Sequence, residues 1–248
     1  MKLDLKKNKI EFLEDCLLIN EEILVFSDFH IGYEEYLYGK YIPVRVQLEE
    51  ILKKLNRIFL LLNKKNIKLK GIIVLGDLKH EFGEISESEW RETLELLDYL
   101  LKKCSKIILI KGNHDNILGP IAKKRGVEIK ENYIIDKIGF LHGDKWHKEC
   151  DQCNILVLGH LHPAITLYDK YKKEKYKCFL FGKWKKKEVY VLPSSVPMVF
   201  GYDLNNLTEE KKDFFIINNE GLMGFKVIVY NEKENKSYDF GKLKKLIR

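Results

Sequence analysis

The chain has 248 residues, 45% hydrophobic and 33% charged, which suits a globular protein and is too apolar for intrinsic disorder. Its longest apolar runs, such as residues 58–62, fall far short of the ~20 residues a membrane helix needs, and the opening MKLDLKKNKIEF has neither an apolar core nor a cleavage site, so no membrane span or secretory signal is expected. Five cysteines, an odd number in a chain too large to need staples, favour free thiols in a reducing cytoplasm, and the net charge of +7, carried almost wholly by lysine, suits an anionic substrate.

Five short apolar runs follow one another along the chain, at residues 23–26, 72–75, 107–110, 138–141 and 155–158, each reading as a strand buried on both faces. Between the first two, Val44, Leu48, Ile51, Leu52, Leu55, Phe59 and Leu62 share one face at helical spacing, with Pro43 just before them. Between the second and third, Trp90, Leu94, Leu97 and Leu101 repeat the pattern. After Pro163 the texture changes to short strands at 164–168, 178–181, 189–192, 214–217 and 222–230, and the residues from Asn231 on read as a solvated polar tail. The expected fold is α/β, a four-layer αββα sandwich of two mixed sheets with helices outside. A single domain spanning residues 1–248 is expected, with its core at about 20–200 and C-terminal strands and tail over 201–248.

Each apolar run ends in a polar turn: Ser27-Asp28-Phe29-His30, Gly76-Asp77-Leu78-Lys79-His80, Lys111-Gly112-Asn113-His114-Asp115, His142-Gly143-Asp144 and Gly159-His160-Leu161-His162. Six of the seven histidines lie in these turns; only His147 does not. The carboxyl ends of strands in an α/β sheet converge on the ligand crevice, so Asp, His and Asn are delivered to one place. A ligand set of carboxylate, imidazole and amide without thiolate suits Mn²⁺, Fe, Zn²⁺, Ni²⁺ or Mg²⁺. The donors are too many for one ion, whereas two ions about 3.5–4 Å apart sharing a carboxylate would use them all.

These turns resemble the calcineurin-like metallophosphoesterases, whose pattern is Asp-x-His, Gly-Asp-x-x-Asp, Gly-Asn-His-Asp/Glu, a lone His before Gly, and Gly-His-x-His. Within that superfamily, DFHIGYE, GDLKHEFG, HGD and GHLHPAI are similar to the ICC-like branch, which includes the metallophosphoesterases associated with DNA ligases. The resemblance implies one metal on Asp28, His30, Asp77 and His162, and a second on Asp77, Asn113, His142 and His160, with Mn²⁺ the first choice. It implies His114 beside the leaving-group oxygen, with Asp115 holding its imidazole. His80 stands where the superfamily usually has Asp, and Asp144 where many members have His; both are expected around the metals or against substrate. The expected function is a two-metal phosphodiesterase acting on nucleic acid or cyclic nucleotides by direct attack of a bridging hydroxide. The alternatives are a phosphomonoesterase (protein phosphatase or nucleotidase) and a non-catalytic binding module.

Residues 170–187 carry nine lysines and one acid, interleaved with Tyr171, Tyr176 and Trp184. They read either as a basic hairpin contacting nucleic acid through Lys172, Lys173, Tyr176, Trp184 and Lys185, or as a solvated hairpin. His147, Cys150 and Cys153 form H-x-x-C-x-x-C, either a partial zinc site or a packed turn. Tyr33 and Glu34 either line the crevice or pack beneath it. Oligomeric state is left open.

Overall fold

The computed structural model describes residues 9–39, 45–83, 85–169, 172–207 and 214–247. Pro43, Val44 and Tyr171, singled out from the sequence, lie outside the described residues.

The first sheet begins with an antiparallel meander, β1 (Ile10–Leu13), β2 (Cys16–Ile19) and β3 (Ile23–Phe26). It continues in parallel through β4 (Gly71–Val74), β5 (Ile107–Ile110) and β6 (Glu128–Lys130), in the order β1-β2-β3-β4-β5-β6. Helix α1 (Tyr33–Tyr38) follows β3; α2 (Gln47–Lys64), α3 (Glu87–Lys103) and α4 (Gly119–Arg125) make the crossovers. Their apolar stripes explain where they pack. Ile51, Leu55, Phe59 and Leu62 of α2 and Leu96, Leu97 and Leu100 of α3 are buried with Ile72 and Val74 on the outer face of the sheet. Ile73 and Leu75 point the other way, as the period of two in a strand requires, into the core between the sheets.

The second sheet contains β7 (Tyr133–Ile135), β8 (Ile138–Leu141), β9 (Ile155–Leu158), β12 (Phe179–Trp184), β13 (Lys187–Val191), β15 (Lys226–Asn231) and β16 (Lys236–Lys242). Its order is β16-β15-β12-β13-β9-β8-β7, and β8, β9 and β13 run parallel. Ile138, Phe140, Val157, Phe179 and Leu192 face Val25, Ile73 and Ile110 across the inter-sheet core. The mixed α/β sandwich is therefore as expected. Its outer layer on the second sheet is built from short pieces: 3-10 turns, α5 (Asn219–Leu222), and a small sheet of β10 (Pro163–Tyr168), β11 (Lys173–Lys177) and β14 (Tyr202–Asp203).

Four sequence expectations are corrected. Residues 214–217 form bends, not a strand, because their backbone bonds to the site loops: Ile216 donates to the Gly143 carbonyl. Residues 222–230 are not one strand; Asn218 caps the short α5 by accepting from Gly221, and pairing begins only at Lys226. The tail is not wholly solvated, since β16 pairs with β15 and Leu243 is buried. The lysine-rich stretch is not one hairpin. At Cys178, whose amide donates to the Pro163 carbonyl, the chain leaves the small sheet for the large one, so β11 pairs with β10 while β12 pairs with β13.

Candidate metal centre

Five parallel strands, three from one sheet and two from the other, end at the same edge of the sandwich. Backbone bonds stitch their turns together: Asp28 donates to Gly76, His30 to Asp77, and Gly159 to His142. Five of the candidate ligands sit at positive φ, Asp28 at 52°, His30 at 44°, Asp77 at 49°, His160 at 65° and His162 at 49°. This conformation is uncommon for residues with a Cβ and costs of order 1–3 kcal/mol each, so the surrounding structure must hold them there.

Two groups of ligand atoms result: Asp28, His30 and His162, and Asp77, His142 and His160. In the first, His162 Nε2 is 3.2 Å from Asp28 Oδ1 and 3.3 Å from His30 Nε2. In the second, His142 Nε2 is 3.0 Å from Asn113 Oδ1, 2.9 Å from His160 Nδ1 and 3.3 Å from Asp77 Oδ2. Asp77 Oδ2 is also 3.6 Å from His30 Nε2, so this carboxylate lies between the groups.

Hydrogen bonds fix which atoms face inward. His142 Nδ1 donates to the Leu75 carbonyl at 2.7 Å, leaving Nε2 as the atom with the lone pair. His160 Nε2 donates to the Phe214 carbonyl at 2.7 Å, leaving Nδ1. Asp28 Oδ2 accepts from Ser27 and from the His160 amide, whereas its buried Oδ1 has no hydrogen-bond partner. Lone pairs of His142, His160, Asn113 and Asp77 thus meet one another, and an orphaned carboxylate oxygen faces His162. Such convergence of acceptors fits a cation.

The acids and imidazoles of the centre also shift one another. Burial alone would lower His142, but Asp77, Asp28 and the Leu75 carbonyl raise its pKa to about 10, so a cation would take the place of the proton that His142 Nε2 shares with Asp77. Against the same burial, neighbouring histidines hold Asp28 and Asp77 below the usual carboxylate range. Burial and the facing His162 push His30 well down, and burial with His142 lowers His160. Asp144 is half-buried, and its charge acts on His160.

His114 stands beside the centre, with Nε2 3.9 Å from Asp77 Oδ2. Its Nδ1 donates to the His80 carbonyl, so the expected Asp115 support is corrected. Asp115 turns into its own loop, accepting from Gly112 at 3.0 Å and from Leu78 at 3.1 Å, and thereby ties the Asp77 turn to the Asn113 turn. Burial and nearby Asp77 raise Asp115 to about 6. His80 Nδ1 meets His30 Nδ1 at 3.2 Å, and His30, His80 and His114 make a third close group of nitrogens. Burial and His114 lower His80 to about 4.

Several residues around the centre support its turns, and Glu34 takes the packing role of its two expected alternatives. Glu34, buried, accepts from the Val46 and Gln47 amides at the N-terminus of α2, and Gln47 Nε2 donates to the His30 carbonyl at 2.8 Å. Glu89 accepts from the His80 and Glu81 amides at 2.8 and 2.9 Å. Buried Lys79 donates to the carbonyls of Glu81 and His114. The contacts of Gln47 and Glu89 join separate turns and use ordinary residue types, so no local motif announces these two residues. Tyr33 packs edge-on against His80 with centroids 4.8 Å apart.

The other candidates lie elsewhere. Tyr176 and Lys172 line a groove of about 790 Å³ with Tyr230 and Phe240, and Lys173 lies over Tyr168. Trp184 and Lys185 instead gather with Trp146, Lys185 Nζ being 4.4 Å from the Trp184 centroid. Cys150 and Cys153 are packed in the core, where burial raises the Cys150 thiol to about 12. Among the described residues, no candidate metal group includes a cysteine or His147, and no helix is long and apolar enough to cross a membrane.

A family model described as calcineurin-like phosphoesterase matches residues 22–192. Among solved structures, the chain is similar to a nuclease MPE from Pseudomonas putida, with 16% identity, a TM-score of 0.63, and 97% of this chain and 99% of that chain covered. It also matches Vps29 complexed with Zn²⁺ from Entamoeba histolytica at 16% identity over 88% of this chain and 96% of that one, with a TM-score of 0.38. No curated protein matches the chain at a significant level.

Proposed function

The chain belongs to the calcineurin-like phosphoesterases, and from that premise we propose that it is a two-metal phosphodiesterase acting on nucleic acid or nucleotide phosphodiesters. The supporting observation is the set of inward-facing lone pairs on His142, His160, Asn113 and Asp77 beside the orphaned oxygen of Asp28. Asp28, His30, His162 and Asp77 would hold one ion, and Asp77, Asn113, His142 and His160 the other, with manganese our first assignment. When bound, the two ions supply charge neutralisation at the phosphoryl oxygens and an activated water.

The protein's own groups do the rest. Leu75 and Phe214 lend carbonyls that hold the ligand tautomers. His114, with Nδ1 committed to the His80 carbonyl, presents Nε2 as the atom that delivers a proton to the departing alkoxide. A dianionic monoester calls for added cationic side chains. Lys79, whose ammonium reaches the His114 carbonyl, spends it on that carbonyl and the Glu81 carbonyl instead, which favours the diester. The similarity in fold to a nuclease supports the nucleic-acid assignment.

The His114→Ala variant tests this role. Turnover of a phosphodiester should fall roughly 10²- to 10⁴-fold, while elemental analysis finds the metal content of the wild type. Loss of metal along with activity would make His114 a ligand and contradict the assignment.

A further inference from the structure

The His80 and His114 side of the centre is bordered by aromatic rings that the proposed chemistry leaves unused. The Phe82 ring lies over the His114 imidazole, centroids 3.7 Å apart and planes inclined by 32°. His114 stacks on His80 at 5.1 Å and 28°, and Tyr36 packs against His80 at 4.8 Å. Phe82, His114, His80 and Tyr36 therefore form a continuous row of rings running from the proposed proton donor out onto α1. Yet Phe82 is 54% exposed and Tyr36 64%. Single exposed apolar side chains are normal on any surface. Here two that are more than half exposed are joined through His114 and His80, so they form one exposed aromatic edge beside the proposed proton donor.

We propose that Phe82 and Tyr36 form a platform that stacks a nucleobase next to the scissile phosphate. The substrate class is then an unpaired nucleotide, in a single strand or at a frayed end, and not an intact duplex. This rests on the nucleic-acid reading above. Every base has a π-face that an aromatic side chain can stack on regardless of sequence. Inside a duplex both faces of each base are already taken by its neighbours, so an unstacked base offers the free face that the platform needs. The platform adds affinity without sequence preference and admits the strand in one orientation, with a base on the rings and its phosphate over the metal ligands.

The test compares a short single-stranded oligonucleotide, the same oligonucleotide with abasic sugars, and the corresponding duplex, all with the Mn²⁺-loaded protein. The wild type should prefer the base-bearing strand over the abasic one by roughly tenfold or more in kcat/KM, and should prefer either to the duplex. In Phe82→Leu and Tyr36→Leu the ratio of base-bearing to abasic should collapse towards one, chiefly through KM. Because the ratio is taken within each variant, any damage passed to His114 cancels. Binding of a phosphorothioate oligonucleotide carrying 2-aminopurine, read by its fluorescence, should weaken in the same variants. Variants that keep the wild-type ratio, or a wild type indifferent to the base, would overturn the platform while leaving the nuclease reading standing. A wild type that turns over a chromogenic phosphodiester but neither cleaves nor binds any oligonucleotide would overturn both. A change of oligomeric state in Phe82→Leu without loss of base preference would give the rings to a second copy of the chain and also overturn the proposal.

Discussion

At the scale of single residues, the site is held in conformations its side chains disfavour, and neighbouring turns supply the restraint. Gly112 shows how little room is left. A Cβ there would fall within contact distance of both the Asp77 carboxylate and the Asp77 amide, neither of which can swing away, because the carboxylate also accepts from the His114 amide at 3.0 Å. The Gly112→Ala variant should therefore displace Asp77 and weaken Mn²⁺ binding by roughly ten- to a hundredfold, measured by titration calorimetry, with far-UV circular dichroism unchanged. Wild-type affinity would mean that the Asp77 position is not needed to hold metal. The proposed ligand residues themselves were legible in the sequence, because each follows a strand that reads plainly as buried. Asp115 was misread because adjacency to His114 suggests a partnership, whereas the turn aims its carboxylate at the Gly112 and Leu78 amides.

At the scale of elements, two contacts transmit the fold to the site. The N-terminus of α2 is satisfied by Glu34 and in turn holds the His30 carbonyl through Gln47. On the other side, Lys177 of β11 donates to the Ser194 carbonyl at 2.7 Å and to that of Val196, while the Ser195 amide donates to the carbonyls of Ser27 and Asp28. Burial lowers Lys177 to about 7, despite Asp15 at 3.9 Å; Lys54, itself paired with Asp15, adds to the lowering, and more distant Asp28 and Glu232 oppose it. The unfolded lysine keeps its proton up to about pH 10, so between about pH 7 and 10 the unfolded state binds more protons, and this residue's contribution to stability rises with pH. From pH 6.5 to 8.5 the Tm of the wild type should therefore gain a few degrees relative to Lys177→Met. Parallel Tm profiles for the two proteins would show that Lys177 keeps an ordinary pKa. The sequence marked Lys177 only as one of many lysines in a basic run. The change of sheet at Cys178, which buries its side chain, rests on pairing with distant β10 and β15.

At the scale of the whole molecule, the centre exists only where two sheets end together. The proposed ligands follow β3, β4 and β5 of one sheet and β8 and β9 of the other, so neither sheet alone carries the proposed set. The parallel runs were legible because strands buried on both faces are continuously apolar. The edges were not. Strands β1, β2, β6, β7, β14 and β16 carry no strand reading in the sequence and β11 only that of a hairpin, and residues 214–217 read as a strand although Phe214 packs against His160 and its carbonyl orients that ring. That segment lies beyond the residues matched by the family model, so part of what positions a proposed ligand belongs to this chain's own C-terminal region.

The most direct measurement strips the protein of metal, restores Mn²⁺, and compares a chromogenic phosphodiester with its monoester, using Asp77→Asn as the blank. The account predicts turnover of the diester that depends on Mn²⁺, little turnover of the monoester, and none in the blank. Equal diester turnover in metal-free protein or in Asp77→Asn would contradict it.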